Sequence, residues 1–320
     1  MKYVEFLNET IRKKLATSKK VVIFGQNVGA GSFLSGLTRN FKNENITVIN
    51  TPNSENCLCG VGFGLMLSGV DALFFMKQQD FLLLGIDHLV NTYNFIRRIY
   101  PKAAFTIVKI ISDNGFEGPQ ASLNNFYDFC SIARAKGFTI TNRVDAEHII
   151  NAHLLEPGFR MIGVSQRLFK HDILELDTVY ADAKEGIFQY FDGSEVTIIC
   201  FNFSFPLGLE LYHKFKENSI SASLFSVSAA MRINWDRLIR NLQISKRLVL
   251  IDDSKSLHCA VDDFLIQALE KCDIKKKIML KRDLSDEYVK PSHDQLLIDY
   301  DDVVKKLKET DTVRKKDRSI

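Results

Sequence analysis

Thr51-Pro52-Asn53-Ser54-Glu55-Asn56-Cys57-Leu58-Cys59-Gly60 runs straight on into Val61-Gly62-Phe63-Gly64-Leu65-Met66-Leu67-Ser68-Gly69. This stretch places one carboxylate, Glu55, between the end of a predicted strand (46–50) and a glycine-studded apolar helix (61–68). A charge among residues set to be buried is costly unless something pairs with it. An acid at a strand end in that setting is a candidate chemical site, not a solubility device.

The strand-then-helix pattern around Glu55 repeats in both directions. Short apolar runs bounded by polar residues or glycine predict strands at 21–25, 46–50, 71–76 and 103–111. Helices are predicted at 61–68, 81–98 and 123–135, then a strand at 138–141, a helix at 146–155 and a strand at 160–164. Such alternation implies a mostly parallel sheet covered by helices on both faces. The mixed, acidic stretch 170–193 ends in the turn signal Asp192-Gly193-Ser194 and reads as a boundary. Beyond it, strands are predicted at 196–201, 221–227, 248–252 and 276–280, with helices at 207–217, 235–243 and 257–271. The expected fold is α/β with two doubly wound, mostly parallel sheets. Its expected layout is a domain over 1–175, a linker over 176–192, a smaller domain over 193–311 and a solvated tail over 312–320.

Composition narrows the function. With 320 residues and 46% hydrophobic content, two cores are affordable. The 42 lysines and arginines nearly balance 39 acids and form no stripe, which argues against a nucleic-acid partner. No apolar run approaches the ~20 residues of a membrane span. The start, Met1-Lys2-Tyr3-Val4-Glu5, has no secretory apolar stretch, so a cytoplasmic location is expected. The six cysteines lack zinc-type paired C-x2-C spacing and read as free thiols.

Two further motifs were weighed. Gly25, Gly29, Gly31 and Gly36 follow the first strand, as phosphate-cradling glycines do, which leaves open a nucleotide-binding α/β oxidoreductase. The spacing departs from G-x-G-x-x-G, and the next strand ends in Asn50 instead of an acid. Asp192-Gly193 with Asn218 suggests a magnesium-diphosphate motif, but its first glycine is missing and Asp192 precedes a strand. The chain is therefore expected to lack a diphosphate-metal site of its own.

Thr51-Pro52-x-Ser54-Glu55 with Gly60, Gly64 and Gly69 resembles the signature of the β subunits of thiamine-diphosphate-dependent 2-oxo acid dehydrogenases of the pyruvate and branched-chain types. Gly25-x-x-Val28-Gly29, Gln79-Asp80-Phe81 and Ile86-Asp87-His88-Leu89-Val90-Asn91 agree in order, as do Asp145-Ala146 through Glu156-Pro157 and Asp192 to Thr197. The resemblance implies a pyrimidine-binding, transketolase-like domain followed by a transketolase C-terminal-like domain. It further implies an α-type partner, in an α2β2 assembly, that brings the diphosphate and Mg2+ half of the site. Glu55 would bond the aminopyrimidine ring, Phe81 would pack on it, and Leu58 would line the same pocket. A small 2-oxo acid or ketose would be the substrate, for decarboxylation, carboligation or ketol transfer.

Departures limit this. Gln26 and Asn27 stand where the resemblance leads one to expect acids. It also places a histidine in a Q-H-S-Q context, where this chain offers Ala121 or Asn124, depending on the alignment. Neither moves a proton near neutral pH. His88, His148, His153 and His258 read as surface or packed histidines. A catalytically degenerate assembly or regulatory subunit is the alternative of another class.

Overall fold

The computed structural model describes residues 1–18, 20–114, 124–257, 260–282 and 296–309. Short runs rich in β-branched and aromatic residues make its strands. Val21–Gly25 (β1), Ile46–Asn50 (β2), Asp71–Met76 (β3), Ala104–Ile111 (β4), Lys136–Ile140 (β5) and Gly158–Ser165 (β6) form one parallel sheet in the order β2-β1-β3-β4-β6-β5. Tyr180–Asp182 (β7), Ile187–Phe191 (β8), Val196–Phe201 (β9), Ala222–Val227 (β10), Arg247–Asp252 (β11) and Lys276–Lys281 (β12) form the second, in the order β12-β11-β9-β10-β8-β7. In that sheet β8 pairs antiparallel with both β10 and β7, and the other pairs are parallel. The fold is α/β with two mostly parallel sheets.

Helices Tyr3–Leu15 (α1), Glu55–Leu67 (α2), Tyr93–Ile96 (α3), Phe126–Ala133 (α4) and Arg143–His153 (α5) serve the first sheet. Phe205–Glu217 (α6), Asp236–Ser245 (α7), Ala260–Lys271 (α8) and Tyr300–Lys308 (α9) serve the second. Several elements differ from the sequence expectation. The stretch 176–192 carries the β7–β8 hairpin, whose half-exposed edge strand lacks the apolar run that marks a buried one. Both α1 and α9 have charged outer faces and bury only a stripe. The run 81–98, expected as one helix, breaks into a 3₁₀ turn (Gln79–Gly85), a π turn (His88–Thr92) and α3.

Close contacts seat α2 on the first sheet. Phe63 meets the Phe105 ring edge-on at 4.9 Å and lies 5.0 Å from Phe159. Truncating such a ring costs about 3–5 kcal/mol. At Gly62 a Cβ would run into the Phe105 ring, so glycine lets the helix come this near. At Gly85 a Cβ would meet the Cys59 sulfur at 2.7 Å, so the 3₁₀ turn also closes on the first turns of α2. These approaches set the position of Glu55.

Candidate functional site

Neighbouring strands β1 and β3 send their connections in opposite directions, β1 outward to β2 and β3 inward to β4. Their carboxyl ends therefore open a crevice, the place where open α/β sheets bind ligands. Gln26 after β1, Phe74 and Lys77 at the end of β3, Glu55 and Leu58 on α2, and Phe81 on the 3₁₀ turn line that crevice. The structure thus brings Glu55, Leu58 and Phe81 together. Gln26 and the end of β3 join them through strand order, which sequence spacing does not report.

Glu55 is the first residue of α2 and only 6% exposed. No hydrogen bond or ion pair joins its side chain to any described residue. One turn on, burial and the Glu55 charge push the Cys59 thiol up to about 12, so that sulfur is inert at neutral pH. The cleft itself encloses about 10 Å³ in this chain alone, room for one water. Glu55 is largely buried and has no partner among the described residues, while its carboxyl oxygens still reach solvent in the cleft; with aromatic and aliphatic walls beside it, it fits a flat heterocycle bearing an N–H or ring nitrogen.

The second sheet has the corresponding crevice between β9 and β11, and it is filled. Asn202, at φ 60°, donates from Nδ2 to Asn124 Oδ1 and to Asp253 Oδ1, each at 2.9 Å. Asn124 donates back to the Asp253 carbonyl at 2.9 Å, and the Tyr127 hydroxyl accepts from the Asn202 N–H. Arg167 Nη2 donates to Asp253 Oδ2 at 2.7 Å and lies 3.9 Å from Asp113. Burial raises the Asp113 carboxyl to about 6, against the lowering effects of Arg167 and Ser165. First-domain side chains therefore occupy the second domain's ligand position and fasten the domains together. Asn124→Ala should lower stability by about 2 kcal/mol, measured by urea unfolding, because it strands buried partners on Asn202 and Asp253.

No protein-family model matches the chain. The 2-oxoisovalerate dehydrogenase subunit beta of Bacillus subtilis is 22% identical over 268 residues, 80% of each chain. The pyruvate dehydrogenase E1 component subunit beta of Rickettsia felis is 20% identical over 260 residues, 78% of each. The acetoin:2,6-dichlorophenolindophenol oxidoreductase subunit beta of Bacillus subtilis is 21% identical over 267 residues, again 78% of each. The chain is a divergent relative of the 2-oxo acid dehydrogenase β subunits. A solved structure titled split gene transketolase, inactive beta4 tetramer, matches its fold with a TM-score of 0.65. That match has 12% identity and covers 88% of this chain and 89% of the other.

In this β-subunit relative the remaining candidates take bland positions. Ala121, His258 and the tail 312–320 lie outside the described residues. The glycine loop after β1 continues as turns over 26–40 with no helix, so the phosphate cradle that a nucleotide reading needs is missing there. Asp192 accepts from Gln189 at 3.0 Å, while Asn218 bonds Lys214 and Lys308. No group of three His, Cys, Asp or Glu suited to a metal occurs among the described residues. None of the described helices is long and apolar enough to cross a membrane. His88 bonds Thr92 at 2.7 Å, and His148 rests beside Phe188. His153 is buried, stacked on Phe138, with Nδ1 2.8 Å from Glu156 and Nε2 2.7 Å from the Ala183 carbonyl.

Sequence reading also passed over Lys109. Its ammonium is wholly buried in β4, 4.6 Å from the Phe126 ring centre and 4.4 Å from that of Phe129. It has no hydrogen-bond partner among the described residues. The available signal was a single charge inside the apolar run 103–111.

Proposed function

We propose that this chain is the β-type half of a thiamine-diphosphate-dependent enzyme that acts on a 2-oxo acid or ketose donor beside an α-type subunit. The observation that carries the reading is Glu55, a largely buried residue with no partner among the described residues, whose carboxyl opens into the carboxyl-end crevice of β1 and β3. When bound, thiamine diphosphate supplies an acidic carbon that adds to a substrate carbonyl. Glu55 would hold a proton between its carboxyl and the facing ring nitrogen of the aminopyrimidine. Leu58 and Phe81 would keep water from that hydrogen bond, which strengthens in a dry site. Phe81 would stack on the ring and fix its plane. The diphosphate and Mg2+ would rest on the partner.

The α2 helix supports the need for a partner. It is apolar around its circumference, yet Val61 and Leu67 face out. Leu83, Leu84, Phe95 and Tyr100 on adjoining segments are exposed as well, with Phe95 at 88%. Apolar surface of this extent marks an interface in soluble proteins. Phe95→Asp should therefore weaken association with the α-type subunit, or between copies in an α2β2 assembly, by at least about tenfold. Sedimentation velocity of the mixed chains reads this directly, and unchanged assembly would refute the placement.

Asn124 is fixed in the interdomain network, and no histidine occurs among residues 89–147. Acyl transfer to a lipoyl arm is therefore left out, and carboligation or ketol transfer is the favoured outcome. Titration of the assembled chains with thiamine diphosphate and Mg2+ tests the reading. Saturable binding that needs both subunits supports it, whereas NADH binding by this chain alone would favour a nucleotide-dependent oxidoreductase.

A further inference from the structure

A cavity of about 560 Å³ lies where the two domains meet, and it shares no lining residue with the Glu55 cleft. Leu168 and Leu174 wall it from the first domain, Phe203 and Leu207 from the second, and Leu296 and Ile298 from the segment before α9. That size is typical of small-molecule sites, and domain junctions are where such sites concentrate.

The charges around it do not balance. Glu210 on α6 accepts the Tyr300 hydroxyl at 2.7 Å and has no cationic partner among the described residues. Asp172 is already matched by Lys2 at 3.0 Å and by the chain's N-terminal ammonium at 3.8 Å. Arg167 serves two carboxylates at once, Asp253 at 2.7 Å and Asp113 at 3.9 Å. His171 is the remaining basic side chain on the lining. Among the described residues the surplus is negative, which disfavours an anionic ligand and suits a cationic head on an apolar body.

We propose that this interdomain cavity binds a primary amine with an alkyl or aryl body, its ammonium at Glu210 and its apolar part between the leucines. Such a ligand touches both domains, so its binding would stabilise their relative position. The site works independently of the Glu55 cleft.

Calorimetric titration of the full chain with butylamine, hexylamine and octylamine, and with the carboxylates of equal length, tests this. Affinity should rise about two- to fourfold per added methylene, the mark of an apolar slot. Octanoate should bind at least about fivefold more weakly than octylamine, and Glu210→Gln should erase most of that preference. Leu207→Trp should cost about tenfold or more by filling the cavity. Should that variant misfold by circular dichroism, the exposed Glu210→Gln and the chain-length series still decide. A flat series, or an amine preference unchanged in Glu210→Gln, overturns the proposal.

Discussion

Glu55→Ala should leave the isolated chain as stable as the natural one, or more stable, while weakening thiamine diphosphate binding in the assembled enzyme by about 10- to 100-fold. The affinity loss follows from one charge-assisted hydrogen bond, worth about 1.5–3 kcal/mol. The stability result follows from the absence of any partner in the chain itself. Truncating an acid that bonds none of the described residues breaks no hydrogen bond or ion pair among them, so the change should stay within about 1 kcal/mol. A residue kept for folding would show the opposite pattern. Thermal unfolding of the separate chain, set beside cofactor titration of the complex, distinguishes the two. A large fall in melting temperature with unchanged binding would make Glu55 structural.

Lys109→Met should stabilise the chain by about 2–3 kcal/mol at neutral pH. Burial lowers the Lys109 ammonium from 10.5 to about 8, more than the nearby charges of Cys130, Asp80 and Asp128 raise it. Each unit of such a shift is worth about 1.4 kcal/mol, and the two phenylalanine faces return only part of it. A base with a depressed folded-state value costs stability while it is protonated. Between about pH 8 and 10.5 the unfolded chain keeps the proton and the folded chain has lost it. Stability should therefore rise with pH across that window in the natural chain. Methionine at 109 should flatten the rise. Urea midpoints at pH 7, 9 and 10.5 for both proteins measure the difference. A lower midpoint for the variant at every pH would instead make Lys109 a counter-ion that the buried acids require.

Much of this architecture is legible in the sequence because strands of parallel sheets, buried on both faces, read as continuous apolar runs. Val21–Gly25 and Asp71–Met76 stand where those runs place them, and the largely exposed edge strand Ile46–Asn50 is legible through its β-branched residues instead. The elements that escape are those whose burial is partial. Tyr180–Asp182 is a half-exposed edge strand, and α9 buries only Val303, Val304 and Leu307 on a charged helix. The broken segment 79–96 escapes for another reason. Gly85 must slip against Cys59, and that tertiary demand overrides the local helical pattern.

The candidate site divides in the same way. Glu55, Leu58 and Phe81 are legible because a local pattern carries them. Gln26 and the end of β3 reach the cleft only through strand order. Asn124, Asn202 and Asp253 are far apart in sequence and are brought together by domain packing, so nothing local marks them. Their meeting fills the crevice between β9 and β11 with side chains of this chain, whereas the crevice between β1 and β3 stays open.

The central claim is that Glu55 holds the pyrimidine of a thiamine cofactor in a cleft completed by a partner. The most direct test is the thiamine diphosphate content of the complex isolated on this chain from its own cells, measured as thiochrome fluorescence for the natural sequence and for Glu55→Ala. About one cofactor per natural chain and little in the variant is the expected result, with the same partner recovered in both. A natural complex free of cofactor, or a variant complex equally loaded, would contradict it.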